Sequence, residues 1–158
     1  MSGLSPEELK KRVAIVKRFR ELLIVQRERF NAYLETLEKQ KSVVENGDVE
    51  DVLAYVEMEE KMVSDIFSIQ KVIVPLETQY RFHAGVTGVA GGSDIPEIQA
   101  ALERLRVEAN NKMEQNRGLL EKRMNEFWEK FDLLKNTYIK RKASFTTTET
   151  AAFLDIKG

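Results

Sequence analysis

The chain has 158 residues, with 25 basic and 26 acidic side chains, a net charge of −1 and no cysteine. This length fits one domain with an adequate hydrophobic core, while the missing cysteines exclude disulfides, thiol catalysis and cysteine-ligated metal sites. The balanced charge argues against nucleic acid as the main partner, and charges interrupt every apolar run that a signal peptide or a membrane-spanning helix would need.

We therefore expect a cytoplasmic protein that does not insert into membranes.

The first predicted helix covers residues 6–45. Ser5 can cap it, Pro6 fits the first helical position, and Glu8 completes a capping box. Apolar residues then recur every seven positions, at Leu9, Val16, Leu23, Phe30, Leu37 and Val44. This repeat predicts one continuous amphipathic helix with a single buried seam.

A second helix is predicted over residues 49–82. Asn46 and Gly47 tolerate the positive φ of a helix C-terminus, and Asp48 can cap the next helix, so the short turn makes the two helices antiparallel. The apolar stripe of the second helix comprises Val49, Val52, Leu53, Val56, Val63, Ile66, Phe67, Ile73 and Val74. Pro75 lacks a backbone donor and either kinks this helix or ends it.

Three carboxylates, Glu57, Glu59 and Glu60, interrupt that stripe. We interpret them as a solvated face, because a metal site needs oxygen ligands that converge from several elements. A Gly-rich loop is predicted over residues 83–93, without the strand and lysine of a phosphate-binding loop. His83 is the one histidine, and no Glu-x-x-His pairs accompany it. The sequence thus predicts no cofactor, no metal site and no enzyme activity.

The third helix is predicted over residues 95–142, after a cap at Ser93 or Asp94. Its apolar stripe comprises Ile98, Leu102, Leu105, Ala109, Met113, Leu120, Met124, Phe127, Phe131, Leu134 and Tyr138. Asn116 falls where the stripe skips, and it is either a buried residue that sets the helix register or a solvated side chain. Residues 143–158 are rich in threonine and are predicted to form a flexible tail.

Together these elements predict an all-α fold, a bundle of three long antiparallel amphipathic helices over residues 1–142. The third helix is about 14 residues longer than the second, so its end extends roughly 20 Å past the first turn. Apolar residues there lack a neighbour and need a partner, which is the chain's own tail, a second copy of the chain or another protein. The candidate residues for binding such a partner are Phe127, Phe131 and Leu134. The tail residues that we expect to cover them in the empty protein are Phe153, Leu154 and Ile156.

Several segments resemble the FlgN family of flagellar export chaperones. The turn over Asn46–Leu53 is similar to a Gly-Asp-Leu-Glu-x-Leu motif of that family, and Glu57–Lys61 resembles the glutamate-lysine stretch that follows it. The segment Asn116–Leu120, Tyr138 and a short tail ending near Ile156 add to the likeness. The resemblance touches nearly the whole chain, and the Gly-rich loop is its departure from the family pattern.

This resemblance implies a cytoplasmic chaperone that binds the C-terminal helices of hook-associated (hook–filament junction) proteins. Such a chaperone prevents their premature assembly and delivers them to the cytoplasmic domain of the export gate. In the family a tyrosine near the C-terminus contributes to gate docking, and Tyr138 is the matching position. We expect a monomer or a homodimer. The alternative is a structural coiled-coil scaffold that associates with itself, and a di-metal enzyme would be a third class.

Overall fold

The computed structural model describes residues 3, 5–83 and 93–132. Almost all of these residues belong to three helices, α1 (Pro6–Asn46), α2 (Val49–His83) and α3 (Ile95–Asp132). The predicted all-α fold of three long helices is confirmed. The predicted tail, the end of the third helix beyond Asp132 and most of the Gly-rich loop lie outside the described residues.

Each helix begins at the cap that the sequence predicts. Ser5 Oγ accepts a hydrogen bond from the Glu8 amide at 3.2 Å, and Asp48 Oδ1 accepts one from the Asp51 amide at 2.9 Å. The Asp94 carbonyl accepts the first bond of α3, from the Ile98 amide at 3.0 Å. The Ser5 and Asp48 side chains thereby satisfy amides that a helix N-terminus leaves without an intrahelical partner, while the bond at Asp94 is the first regular bond of α3.

The turn between α1 and α2 depends on a close approach at Gly47. Its amide donates to the Val43 carbonyl at 2.6 Å. A Cβ at this position would lie 2.6 Å from the same oxygen and 2.9 Å from Val43 Cγ1. The φ of Gly47 is outside the left-handed region, so the expectation of a positive φ there was wrong. Glycine is needed because backbone and side chain of Val43 leave no room for a methyl group.

Pro75 lies inside α2. Of the two alternatives left open by the sequence, the one in which Pro75 ends the helix is therefore excluded. The helix continues to His83. Because proline has no amide hydrogen, the Lys71 carbonyl receives no helical bond from this position. Thr78 Oγ1 donates to the Val74 carbonyl at 3.3 Å, a side-chain bond one turn further along.

The chain divides into two compact units, and every helix contributes a segment to each. Unit 1 comprises Met1–Asn31 and Asp65–Arg106, and unit 2 comprises Ala32–Ser64 and Val107–Gly158. The core of unit 1 contains residues from all three helices, Val16, Phe19, Leu22, Leu23, Ile73, Ile95 and Ile98. The core of unit 2 includes Val44, Val52 and Leu120, with Val43, Val56, Leu119 and Met124 packed against them.

Contacts within unit 1 set the direction of α2 and the start of α3. The rings of Phe19 and Tyr80 lie 5.0 Å apart, and Gln26 Nε2 donates to the Ile66 carbonyl at 3.0 Å. Residue numbers thus rise along α1 where they fall along α2, so these helices are antiparallel. Arg20 holds the N-terminus of α3 through Asp94, with Nε 2.8 Å from Oδ1 and Nη2 2.7 Å from Oδ2.

The heptad seam of α1 is confirmed except at its first position. Val16, Leu23, Phe30, Leu37 and Val44 are buried, whereas Leu9 is 45% exposed. Because Phe19 contacts Tyr80 near the end of the antiparallel α2, the first turns of α1 lie beyond the described end of α2. Leu9 therefore has no α2 residue opposite it among the described residues.

Two glycine substitutions test the turn and helix geometry. Gly118 is exposed in the middle of α3, and an added Cβ meets nothing within 4 Å. Gly118→Ala should raise the free energy of unfolding by roughly 1 kcal/mol, because alanine loses less backbone entropy in a helix.

Gly47→Ala should lower the free energy of unfolding by about 1–3 kcal/mol through overpacking against Val43. Urea unfolding followed by circular dichroism measures both, and a neutral Gly47→Ala would contradict the turn geometry.

Candidate functional site

A group of buried polar side chains joins the three helices of unit 2. This polar cluster consists of Tyr33 and Gln40 from α1, Glu59 from α2 and Asn116 from α3. Each of the four is at most 5% exposed. Burying polar groups costs free energy unless they are hydrogen-bonded, so their partners decide whether the cluster supports or weakens the bundle.

The hydrogen bonds of the polar cluster run from α2 through α1 to α3. Glu59 Oε1 accepts from the Tyr33 hydroxyl at 3.0 Å, and Glu59 Oε2 accepts from Gln40 Nε2 at 2.8 Å. Gln40 Oε1 in turn accepts from Asn116 Nδ2 at 3.0 Å, and the same amide donates to the Leu37 carbonyl at 2.8 Å. Each helix is thereby tied to a neighbour at one fixed level.

Helix periodicity brings these residues to one place. Tyr33, Leu37 and Gln40 follow at steps of four and three residues and so share one face of α1. Val52, Val56, Glu59, Val63 and Ile66 show the same alternating steps along α2. Ala109, Met113, Asn116 and Leu120 show them along α3. The polar residues therefore occupy positions of the buried seam that apolar residues hold elsewhere.

The interpretation of the three α2 carboxylates as a solvated face was wrong for one of them. Glu57 is exposed and Glu60 is half-buried, but Glu59 is only 3% exposed. Its place in the alternating steps between Val56 and Val63 was the signal in the sequence. For Asn116 the sequence left two alternatives open, and the structure decides for the buried one.

Burial raises the pKa of the Glu59 carboxyl. The hydrogen bonds from Gln40 and Tyr33 oppose this shift, and the nearby charge of Glu60 adds to it. Burial also raises the pKa of the Tyr33 hydroxyl, and the Glu59 carboxylate raises it further. The Tyr33 hydroxyl therefore stays protonated, and it donates a hydrogen bond to Glu59. Within the described residues no lysine or arginine forms an ion pair with Glu59.

An ion pair lies on the same α1–α3 contact as the polar cluster. Lys112 of α3 pairs with Glu38 of α1 and also with Glu108, which lies 3.6 Å away on its own helix. The hydrogen bond to Lys112 lowers the pKa of Glu38. Since both carboxylates are more than half exposed and Lys112 is half-buried, the pair adds direction to the contact and little stability.

The end of α3 carries the first of the predicted client-binding residues. Phe127 is half-buried, and the Arg123 guanidinium lies 4.9 Å from the centre of its ring. The same guanidinium donates to the carbonyls of Glu45 at 2.9 Å and Gly47 at 3.0 Å. Arg123 thus satisfies carbonyls at the C-terminus of α1. Sequence reasoning missed it, because nothing in the spacing shows which basic side chain reaches another helix.

Beyond Met124, which packs on the core of unit 2, α3 continues through Asp132. We call residues 125–132 the α3 extension, about 12 Å of helix. The other predicted binding residues fall outside what can be described here: the side chain of Phe131, and all of Leu134, Tyr138, Phe153, Leu154 and Ile156.

A second apolar surface lies on α2 in unit 1, where the sequence predicted core. Phe67 is 44% exposed and Val74 is 48% exposed, so their assignment to the buried stripe was wrong, as it was for Val49. Each lies next to a buried isoleucine, Ile66 or Ile73, and a step of one residue turns a side chain by about 100° around the helix. We call Phe67, Lys71, Val72, Val74 and Pro75 the α2 surface.

Two further features, a candidate metal-binding group and a helix that could span a membrane, are absent from the described residues. The described residues contain no group of three or more histidine, aspartate or glutamate side chains that could hold a metal ion. No helix within them combines the length and apolar character required to cross a bilayer. The polar cluster is buried, and its hydrogen bonds join side chains of different helices, so it contributes to how the helices are positioned.

Fold and cluster together define an antiparallel three-helix bundle protein with a buried hydrogen-bonded polar cluster. An uncharacterized protein of Treponema pallidum (strain Nichols) is 33% identical over 129 residues, which is 82% of this chain and 80% of the relative. The chain belongs to the same family as this Treponema protein. No model of a known protein family matches the chain, and no solved structure is significantly similar to it.

Replacing Glu59 with glutamine should change how stability depends on pH. The folded protein keeps the Glu59 proton at pH values where an unfolded chain, with an ordinary pKa of 4.5, has lost it. The free energy of unfolding of the wild type therefore falls as pH rises from about 4.5 to the higher folded pKa, by at most about 1.4 kcal/mol per pH unit. Glu59→Gln removes this loss, because an amide does not titrate, and the new side chain can still accept from Gln40 and donate to the Tyr33 hydroxyl.

The difference in unfolding free energy, variant minus wild type, should therefore increase with pH above 4.5 and then level off. Urea titrations between pH 4 and pH 8 measure it. Glu57→Gln is the matched control, because this exposed carboxylate lies two residues away on the same helix. A constant difference for Glu59→Gln over the whole range would show that Glu59 titrates in the folded protein as it does in the unfolded chain.

Proposed function

We propose that the chain is a flagellar type III export chaperone that binds the C-terminal helices of hook-associated proteins. In this proposal it acts in the cytoplasm by binding, without catalysis or cofactor. It keeps its clients from assembling prematurely and brings them to the cytoplasmic domain of the export gate. The proposal combines the resemblance of the sequence with a surface at the end of the bundle.

The α3 extension is the observation that most supports the proposal. α3 continues past Met124, the last of its residues in the core cluster of unit 2, and Arg123 already lies level with the end of α1. Eight further residues thus extend beyond that contact, with Phe127 half-buried near their start. The described apolar side chains of the α3 extension, Phe127 and Trp128, are half-buried, and we propose that another amphipathic helix packs against this part of α3.

Arg123 gives this surface a chemical preference. Its guanidinium is fixed by two carbonyls of the α1 C-terminus and covers one face of Phe127. A client helix that packs on the α3 extension would meet the aromatic ring edge beside a fixed positive charge. Apolar residues for the ring, together with an acidic residue or a helix C-terminus for Arg123, complement this arrangement.

The remaining parts of the proposal rest on residues beyond Asp132. Phe131 and Leu134 continue the apolar steps of Phe127, Tyr138 is the proposed contact to the export gate, and the tail residues Phe153, Leu154 and Ile156 are proposed to cover the surface until a client displaces them.

Co-purification with C-terminal fragments of hook-associated proteins tests the proposal. Wild type should retain these fragments, and Phe127→Ser combined with Leu134→Ser should abolish retention by removing the apolar contact. Lys122→Ser, an exposed position one residue before Arg123, serves as the control. Retention by all three proteins would move the site elsewhere on the bundle. If no fragment is retained and the wild type forms large assemblies, a self-associating scaffold replaces the chaperone.

A further inference from the structure

The α2 surface differs in kind from the rest of the exterior of unit 1. Between Ile66 and Leu76 the sequence has one charged residue, Lys71, in eleven positions. A helix that is apolar on nearly all sides is normally buried on nearly all sides. Yet Phe67, Val72 and Val74 are 44–48% exposed, and Pro75 is exposed beside them.

The other exposed positions of unit 1 show that this is not the general character of its surface. The exposed side chains of α1 in unit 1 are mostly charged, with both signs present, and those of α3 include Glu97, Glu103 and Arg104. Single exposed apolar residues are normal on any protein. Four exposed apolar residues within about two turns of α2, spread around its solvent side with Lys71 among them, are a group of the kind that marks an interaction site.

We propose that the α2 surface binds an amphipathic helix whose apolar stripe is flanked by carboxylates. This is an interaction site separate from the α3 extension. The exposed apolar positions repeat along the α2 axis at helical spacing, Phe67 to Val74 on one line and Val72 to Pro75 on the next. A second helix laid along α2 meets both lines with its own residues at steps of three and four. The helix backbone of α2 offers no unpaired strand edge, so recognition falls to side chains.

Charge complementarity selects the sign of the flanking residues. Lys71 is the only charged residue among the exposed positions from Phe67 to Gln79, and its Nζ lies 5.1 Å from the centre of the Phe67 ring. The next basic residue, Arg81, is paired with Glu77 on its own helix. A carboxylate next to the apolar stripe of the partner would reach the Lys71 ammonium, which lies between Phe67 and Pro75 around the α2 axis, whereas a lysine there would be repelled.

Two other occupants fit less well. A second copy of the chain, related by a two-fold axis, would place two basic α2 surfaces against each other without supplying a carboxylate to either. An anionic lipid surface would be held by a single lysine, whereas membrane-binding helices carry basic residues along their polar face. Both remain measurable outcomes of the test below.

Two synthetic amphipathic peptides provide the test. Each has about three heptads with leucine at the seam positions, and the flanking positions are all glutamate in one and all lysine in the other. Fluorescence anisotropy of the labelled peptides with the full chain should give at least about tenfold tighter binding of the glutamate peptide. Lys71→Glu should reverse the preference, and Phe67→Ser with Val74→Ser should remove binding of both peptides.

Lys17→Glu and Val25→Ser are matched controls, because they make the same changes at exposed positions of α1 in unit 1. Circular dichroism verifies that each variant folds, and Lys71→Glu keeps the test valid if the serine variant does not. Equal binding of the two peptides, or binding that Phe67→Ser with Val74→Ser leaves unchanged, overturns the inference. The inference is also overturned if neither peptide binds and the wild type instead dimerises, or binds phosphatidylglycerol vesicles, in a way that Phe67→Ser with Val74→Ser abolishes.

The outcomes separate this inference from the proposed function. If hook-associated fragments bind wild type and the Phe67→Ser, Val74→Ser variant equally while the glutamate peptide does not bind, the chaperone proposal stands and the α2 site falls. If the glutamate peptide binds at α2 and no hook-associated fragment is retained, the α2 site stands and the chaperone proposal falls.

Discussion

The burial of Glu59 is the constraint on which the arrangement of unit 2 depends. A carboxyl group that is 3% exposed needs hydrogen bonds to both oxygens. Tyr33 and Gln40 donate them from α1, and Asn116 of α3 completes the bonding of Gln40. Sliding any of the three helices by one turn would separate these partners and leave buried polar atoms without bonds. The polar cluster thus penalises wrong pairings more than it stabilises the right one.

Long helices with heptad seams need such a penalty, because leucine and valine pack almost equally well in several registers. A fixed register determines which side chains reach the surface. In unit 2 it brings Arg123 to the end of α1, and α3 continues beyond that point with Phe127 half-buried. In unit 1, Gln26 donates to the Ile66 carbonyl at 3.0 Å, directly beside the exposed Phe67. A buried polar contact thus lies beside the exposed apolar residues of unit 1, and the polar cluster of unit 2 fixes the level at which α3 passes the end of α1.

Much of the fold follows from the sequence alone. The seven-residue repeat from Val16 to Val44, the caps at Ser5 and Asp48 and the short turn at Gly47 suffice for two antiparallel helices, and the apolar stripe that begins at Ile98 adds the third. The polar cluster is also present in the sequence as polar residues at seam positions, and at Glu59 the spacing indicates burial although a charged side chain favours solvent. The exposure of Phe67 and Val74 depends on how wide a stripe of α2 the other two helices can cover. Whether Arg123 reaches the end of α1 depends on the distance between α3 and α1. Neither quantity is encoded in the periodicity of one helix.

An apolar version of the polar cluster tests its role most directly. The variant combines Tyr33→Phe, Gln40→Leu, Glu59→Leu and Asn116→Leu, and sedimentation velocity over a range of concentrations gives its distribution of masses. If the cluster sets the register, the variant should be at least as resistant to urea as wild type but should populate several oligomeric species. A single species with the mass of the wild type, and equally dispersed amide resonances, would show that apolar packing alone determines how the three helices pair.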